Sequence, residues 1–581
     1  MAVSDELENA LKALLEGGAA RDLENEILDF KRAANEDGET FRIAVDAAIC
    51  FANHLGGEVV IGIDERRVGA EAVLGTSIDV RTLRRRIHEL TRPPLPVDVL
   101  ELELLDRRLV VVKVYETSEV YADTKGRASQ RNDTDCVSLD PAAVARLRDE
   151  KFGIDWSSDV CEWAHRRDAR AEALGLARTR LARYEDARRA LSRSSDRDLL
   201  AGLGLIDARG RLLNAGAVLL CPPPPAISTA WINFISRRTP GSEPVVSRQV
   251  EGSMLEAFEE AERLMDARRQ TTPILVPGGQ QLELEDFPEL AVREALANAI
   301  LHRDYHLRGP VLVDHSPQVF VVTSPGPLVH SVTARNILRH PPQPRNAALA
   351  TAGHKLGLAE EVGAGVDRMY RAMLSTGKEI PVIESDSESV RVSLVGGAPD
   401  TQVGRFVATL PDEEQKDVDT MIVLHHVRAN PKVRAADLTD LLQRPEPEVQ
   451  AVLERLASDH VDLLEPTRDT ARLRRPRYRL RDAPLRALGT AVGYQRRTVD
   501  EIDRKVIEIV ASYGSIRNEV VKTLFNVRVE RASAILRDLV NRGVLVRTSE
   551  ATRGPGVEYG PGPRFPRTVR RKRVRASADD G

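Results

Sequence analysis

The chain has 581 residues, too many for one hydrophobic core, and its length predicts about four domains. With 42% hydrophobic and 30% charged residues the composition is ordinary for a globular protein. A net charge of -4 excludes a uniformly basic nucleic-acid binder but allows local basic surfaces. After Met1, "AVSDELENA" has no charged-then-apolar leader, and no apolar run approaches the roughly 20 residues of a membrane span, so no membrane partner is expected. Cys50, Cys136, Cys161 and Cys221 are far apart and form no CxxC pair. That spacing predicts neither a disulfide scaffold nor a cysteine zinc site, and a reducing cytoplasm as the setting.

In chain order, "ETFRIAVDAAICFANHLGG" carries apolar residues at helical spacing, with Gly56-Gly57 stopping the helix. "EVVIGID" follows as a buried strand, and "VDVLELELLDRRLVVVKVYE" reads as a hairpin turning at Asp106-Arg107. Residues 160–200 are Arg- and Ala-rich and helical, and "PPPP" at 222–225 continues no element. A second α/β block spans 226–400, with strands at "TAWINFI", "PVLVDH" and "QVFVVTS". Residues 412–480 and 498–560 each read as three helices and a short β-hairpin, the order of a winged helix. "RFPRTVRRKRVR" (564–575) is a basic tail, expected to be disordered alone.

In the amino-terminal block, Glu24, Asp29 and Lys31 cluster in "LENEILDFK", and Asp64 and Glu65 end the strand of "IGIDE". Converging carboxylates can hold a divalent cation that activates water against a phosphodiester. "ENEILDFKRA", "CFANHLGGEVVIGIDE" and "ASQRNDTD" together resemble the Schlafen AlbA-type (divergent AAA) domain over residues 20–140. The resemblance implies a nucleic-acid-binding fold and, by analogy with its ribonuclease members, a Mg²⁺- or Mn²⁺-dependent site for structured RNA. That site would comprise Glu24, Asp29, and Asp64 or Glu65, with Lys31 beside the phosphate. Asp29 stands where Glu is usual, and Asp64 and Glu65 point to opposite sides of a strand. No Walker A sequence supports the AAA label or a helicase.

"ELAVREALANAILHRDYH" (289–306) sets Glu294, Asn298 and His302 at four-residue steps along one helix face. It lacks the Asn and DFG that would make "HRD" a kinase loop. With "VVTSPGPL", "PRNAALA" and "EEVGAGVDRM" in order, the segment resembles the N-box of the GHKL (Bergerat) ATP-binding fold in its RecG-associated version, over residues 195–395. The resemblance implies ATP and Mg²⁺ as cofactors, with Asn298 toward the metal and Glu294 as the base of an ATPase. It also implies that His302 and Arg303 lie near phosphates, that Arg345 contacts the nucleotide, and that Gly326, Gly363 and Gly365 bring backbone amides to it. The Asp that would contact adenine has no counterpart in "TSPGPL", and Ser324 replaces the usual Asn.

On the last predicted helix Ala532, Ile535, Leu536, Leu539 and Val540 form a core stripe, leaving Arg531, Arg537, Asn541 and Arg542 for DNA. The expected chain is thus α/β (α+β) and multidomain. It comprises a Schlafen-like mixed-sheet domain (1–150), a helical connector (151–225), a GHKL-like α/β sandwich (226–400), two winged helices (412–482 and 498–562) and a disordered basic tail (563–581). Two functions fit: an ATP-controlled, DNA-binding transcriptional regulator, or a metal-dependent endoribonuclease of antiphage defence. The expected partners are ATP, DNA or RNA, and further copies of the chain.

Overall fold

The computed structural model describes residues 3–566 except 35, 133, 277–278, 330, 360–362, 468, 494–500, 526–528, 550 and 552–555. The chain forms two compact units, one running to Asp155 and including Val329–Ser331, the other holding the remainder. Most of the basic tail lies outside the described residues, as does the Arg531 side chain. Among the described residues no helix is long and apolar enough to cross a membrane.

The first unit opens with α1 (Asp5–Leu15), capped by the Ser4 hydroxyl, which accepts from Leu7 N. It continues through β1 (Leu28–Lys31), α2 (Asp37–Ala52), β2 (Gly57–Ile61), α3 (Val80–Leu90), β3 (Asp98–Leu104), β4 (Arg107–Val114), β5 (Ala128–Asn132) and β6 (Asp135–Leu139). The first four strands make a sheet of order β1-β2-β4-β3. β1 runs parallel to β2, setting Asp29 opposite Val59 and Lys31 opposite Ile61. Alternation along β2 and β4 sends Val59, Ile61, Val110 and Val112 toward α2 and α3, and Val60, Leu109 and Val111 toward α1. The hairpin turns at Leu105-Asp106, one residue earlier than the sequence predicts. Both residues take positive φ, the geometry that matches the twist of the flanking strands.

The Asn53-x-x-Gly56-Gly57 turn is built for close approach. Asn53 is buried; its amide donates to Tyr121 O (2.7 Å) and Ser129 O (2.9 Å) and accepts from Tyr121 N (2.7 Å). A Cβ on Gly56 would lie 2.6 Å from Val114 O, so no side chain fits there. Asn53 thereby fastens β5 to the end of α2. The same neighbourhood corrects the cysteine expectation: Cys50 of α2 and Cys136 of β6 form a disulfide across 86 residues. Their separation in sequence hid an adjacency that only the packing of β5 and β6 on α2 creates.

The second unit begins with helices that include α4 (Ala171–Ala182) and then builds a six-stranded sheet. Its elements are β7 (Ile232–Arg237), β8 (Pro244–Val250), α5 (Met254–Asp266), α6 (Glu289–Leu301), β9 (Val311–His315), β10 (Val319–Pro325), α7 (Gly365–Ser375), β11 (Val382–Ser385) and β12 (Ser389–Val395). The strand order is β8-β7-β9-β10-β12-β11, with β7 and β9 parallel and the other pairs antiparallel. α5 starts with a reciprocal capping box between Ser253 and Glu256. α6 is apolar on most faces, burying Ala291, Val292, Ala295, Leu296, Ala299 and Ile300, and so runs through the core.

Two helical modules follow. The first has α8 (Val418–Ala429), α9 (Thr439–Leu442) and α10 (Glu446–Leu456) with a hairpin of β13 (Leu464–Pro466) and β14 (Tyr478–Leu480). The second has α11 (Glu501–Tyr513), β15 (Ile516–Arg517), α12 (Asn518–Phe525), α13 (Val529–Asn541), β16 (Leu545–Arg547) and β17 (Glu558–Pro561), its strands pairing β15-β17-β16. Ala532, Ile535, Leu536 and Leu539 are buried along α13, with Val540 packed beside them. α12 meets the edge of the six-stranded sheet through Glu519–Arg391 (3.0 Å) and Lys522–Glu384 (3.4 Å).

Candidate functional site

In the first unit Glu24 lies just before β1, and its Oε1 accepts from Phe30 N at 3.0 Å. Asp29 is fully buried on β1. Lys31 Nζ reaches Asp29 Oδ1 (2.9 Å), Glu65 Oε2 (3.3 Å) and Glu24 Oε1 (4.0 Å). Asp64 turns the other way, toward Arg67 (3.3 Å) and Arg32 (3.8 Å). Of the two neighbours that sequence left open, Glu65 joins the cluster.

Sequence reasoning missed a second cation there. Arg131, within the "ASQRNDTD" stretch on β5, donates to Asn25 O (3.1 Å) and Asp29 Oδ1 (3.4 Å). Both partners of its ion pair with Asp29 are about as buried as side chains become, each 1% exposed. Burial raises Glu24 to about 7, aided by the charge of Asp29 and opposed by the Phe30 N–H. Burial works against the Lys31 charge, but Asp29, Glu65 and Glu24 outweigh it and raise its pKa.

Of the two expected carboxylate sets, the one with Asp64 is not assembled, whereas Glu24, Asp29 and Glu65 gather around the Lys31 ammonium. The Lys31 ammonium is shared among Asp29, Glu65 and Glu24, and Asp64 is held by arginines. Among the described residues no group of His, Cys, Asp and Glu has metal-holding geometry.

In the second unit the row along α6 is graded in exposure. Glu294 is buried, Asn298 half-buried, and His302 exposed at the helix C-cap. Glu294 Oε1 accepts from Arg368 Nε of α7 at 2.8 Å, an ion pair that sequence did not foresee. Gly365 opens α7 directly against this face. A Cβ there would lie 2.7 Å from Glu294 Oε2 and 3.5 Å from the Asn298 amide nitrogen. Glu294 Oε2 has no hydrogen-bond partner among the described residues. A half-buried amide, an unsatisfied carboxylate oxygen and a side-chain-free helix start fit a phosphate-bound Mg²⁺. Asn298 would hold the ion, and the α7 N-terminus would face the phosphates.

Other predicted nucleotide contacts serve the fold. Arg303 is fully buried and donates to Asp304 O (2.8 Å), Leu307 O (2.8 Å) and Gly309 O (2.6 Å), so it is withheld from phosphates. Gly326 donates its N–H to Glu388 O and packs on Asp304, and Gly363 packs on Pro342. Arg345 donates to His302 O (3.2 Å) and Pro327 O (2.8 Å), bracing the end of α6. Asn346 reinforces that brace through Leu301 O (3.0 Å) and Arg303 O (2.9 Å), a role without a sequence signal. Ser324 ties β10 to α6 by donating to Ala299 O at 2.6 Å.

On α13, Arg537 is exposed and its Nε donates to Ser533 O in its own helix (3.3 Å). Asn541 is exposed. Arg542, expected on DNA, is instead held by Asp503 (2.5 Å) and Asp538 (2.7 Å), which raise its pKa further.

These two centres define a protein that joins a Schlafen-type mixed-sheet domain to an ATPase-type α/β domain. The Schlafen AlbA_2 family model matches residues 24–140. The model described as putative ATP-dependent DNA helicase recG C-terminal matches residues 310–394, which include Gly326, Arg345, Gly363 and Gly365; Glu294, Asn298 and His302 precede it. Together the two domains point to an ATP-dependent, nucleic-acid-associated function. Among solved structures, the chain is similar to the DIP2311 protein from Corynebacterium diphtheriae. The two are 27% identical with a TM-score of 0.50, over 83% of this chain and 97% of that one. No curated protein matches the chain.

Proposed function

We propose that the chain is a DNA-binding regulator controlled by ATP. The observation that supports this reading is the seating of Gly365 on Glu294 and Asn298, which sets the start of α7 against the helix row. The Arg368 pairing occupies the carboxylate that would act as an ATPase base, which favours nucleotide binding over rapid turnover. α7 leads from that site toward Glu379, which ion-pairs with Lys505 on α11 of the second module. A nucleotide that prefers one position of α7 would thereby bias the module carrying Arg537. The three-helix-and-hairpin order of both modules supports winged helices, with α13 in the major groove.

The test has two arms. Asn298→Ala is expected to weaken Mg-ATP binding at least about 10-fold by calorimetry, the loss expected of about 1.4 kcal/mol. Gel shifts on the chain's own upstream DNA should respond to ATP, and Arg537→Ala should lower the salt slope by about one. Equal Mg-ATP affinity in Asn298→Ala ends the nucleotide assignment.

RNA cleavage is the second reading, favoured by the gathering of Glu24, Asp29 and Glu65 at one ammonium. Incubation of tRNA with the protein and Mg²⁺ or Mn²⁺, beside a Glu24→Ala control, decides it. Cleavage that disappears in the control would place this reading first.

A further inference from the structure

We infer that α6 carries a second ligand site, for a small organic oxyanion, on the face opposite the Glu294–Asn298 row. A cavity of about 320 Å³ lies between α4, α5 and the start of α6, and is lined by Glu289, Val292 and Arg293 of that helix. At about 100° per residue these three point away from Glu294 and Asn298. The cavity is therefore separate from the proposed nucleotide face.

The ligand's chemistry follows from which lining groups are already committed. Every lining carboxylate has a partner. Glu259 and Glu262 hold Arg180 at 2.7 and 2.6 Å, Asp266 and Glu289 hold Arg269, and Asp286 accepts from Gln270 N (3.0 Å) and Phe287 N (2.9 Å). Arg263 and Arg293 are likewise paired, with Glu260 and Glu262.

Donors remain. Arg183 is exposed and meets no carboxylate among the described residues. Arg268 donates to Ser236 Oγ (3.1 Å) and Leu264 O (2.6 Å), again without a carboxylate. Because Ser236 Oγ accepts from Arg268, its own hydrogen is free for His315 Nδ1 at 3.3 Å, which leaves the imidazole proton on Nε2. That Nε2–H has no acceptor among the described residues, and His315 is only 4% exposed. Burial, with the charge of Arg268, pushes His315 down to about 4, so the ring is neutral and keeps this tautomer near pH 7.

Two guanidinium groups without a carboxylate partner and one N–H without an acceptor, beside carboxylates that are each already ion-paired or hydrogen-bonded, select an anion. Phe287, Met265 and Val292 add an apolar wall for an organic body. The volume sits near the lower end of small-molecule pockets, about 300 Å³. A carboxylate and a phosphate monoester share this chemistry.

The test titrates the full chain with phenyl phosphate and with benzoate by calorimetry. Saturable one-to-one binding is expected, at least 10-fold weaker in Arg183→Glu and unchanged in Asn298→Ala. Binding of phenyl phosphate alone identifies a phosphate ester as the natural ligand, and of benzoate alone a carboxylate. His315→Phe, which keeps the ring and removes the donor, should also weaken binding. Three outcomes would overturn the inference: neither probe binds, both Arg183→Glu and His315→Phe bind as well as the parent chain, or Asn298→Ala abolishes probe binding. Failure of the Mg-ATP experiment leaves this result unaffected, since the two faces of α6 are read by different variants.

Discussion

Glu294 and Arg368 form an ion pair of 2.8 Å whose side chains are only 3% and 11% exposed, with Gly365 seated on the other carboxylate oxygen. The pair joins α6 to α7 where both helices are buried. Its stability role and its place in the candidate nucleotide site can be separated by substitution.

Removing the cation alone strands a buried charge. Arg368→Ala should lower unfolding free energy by about 3–5 kcal/mol. Arg368→Ala with Glu294→Gln should recover much of that loss. Urea denaturation of the parent chain and the two variants measures both; a loss below about 1 kcal/mol in the single variant would mean the pair is not structural.

Gly365→Ala tests the close approach. The added Cβ would lie 2.7 Å from Glu294 Oε2, so the start of α7 must shift. Mg-ATP affinity should fall about 10-fold or more, equivalent to about 1.4 kcal/mol. Calorimetry and a thermal melt on the same preparation distinguish this from loss of folding.

Glu24 gives the first unit a pH dependence. Its pKa is raised to about 7 by burial and by Asp29, above the value of about 4.3 in an unfolded chain. The folded state thus holds this proton more tightly, so its contribution is full below about pH 4 and is lost as pH rises toward 7. The slope reaches about 1.4 kcal/mol per pH unit at most, and the whole effect is on the order of 1–3 kcal/mol. Glu24→Gln should flatten urea midpoints measured between pH 5 and pH 8, and an unchanged profile would contradict the assignment.

The Cys50–Cys136 disulfide closes a loop across 86 residues. Chain entropy sets an upper value of about 4.6 kcal/mol for a loop of that length, and crosslinks typically deliver about 2–4 kcal/mol. Non-reducing peptide mapping should recover the linked pair, and Cys136→Ser should lower the stability of the first unit by that amount. Two free thiols in that mapping would refute the pairing.

Much of the fold was legible because local pattern and burial agree. The apolar spacing of α2, the continuous apolar run of β2 and the core stripe of α13 each declare which face is buried. The Asn53–Gly57 turn was legible for a different reason: one glycine has no room for a Cβ and one amide fastens a distant strand. The candidate sites were legible only in part. Sequence marked Glu24, Asp29 and Lys31 as one group, but their second cation, Arg131, comes from a strand about 100 residues on. Arg303 shows the opposite error. A basic residue beside a phosphate motif reads as a ligand contact, yet three carbonyls left by an irregular turn claim its guanidinium.

By itself the sequence determined the elements, their order, the spacing of Glu294 and Asn298 on one helix face, and the kinship of the two domains. Those properties depend on the periodicity of neighbouring residues and on short motifs. Tertiary structure alone decided which charges meet. It placed Glu65 rather than Asp64 beside Lys31, Arg368 on Glu294, and Cys50 against Cys136. The physical reason is range: an ion pair or a disulfide needs atoms within a few ångströms, and strand order and helix packing set that proximity between residues far apart in the chain.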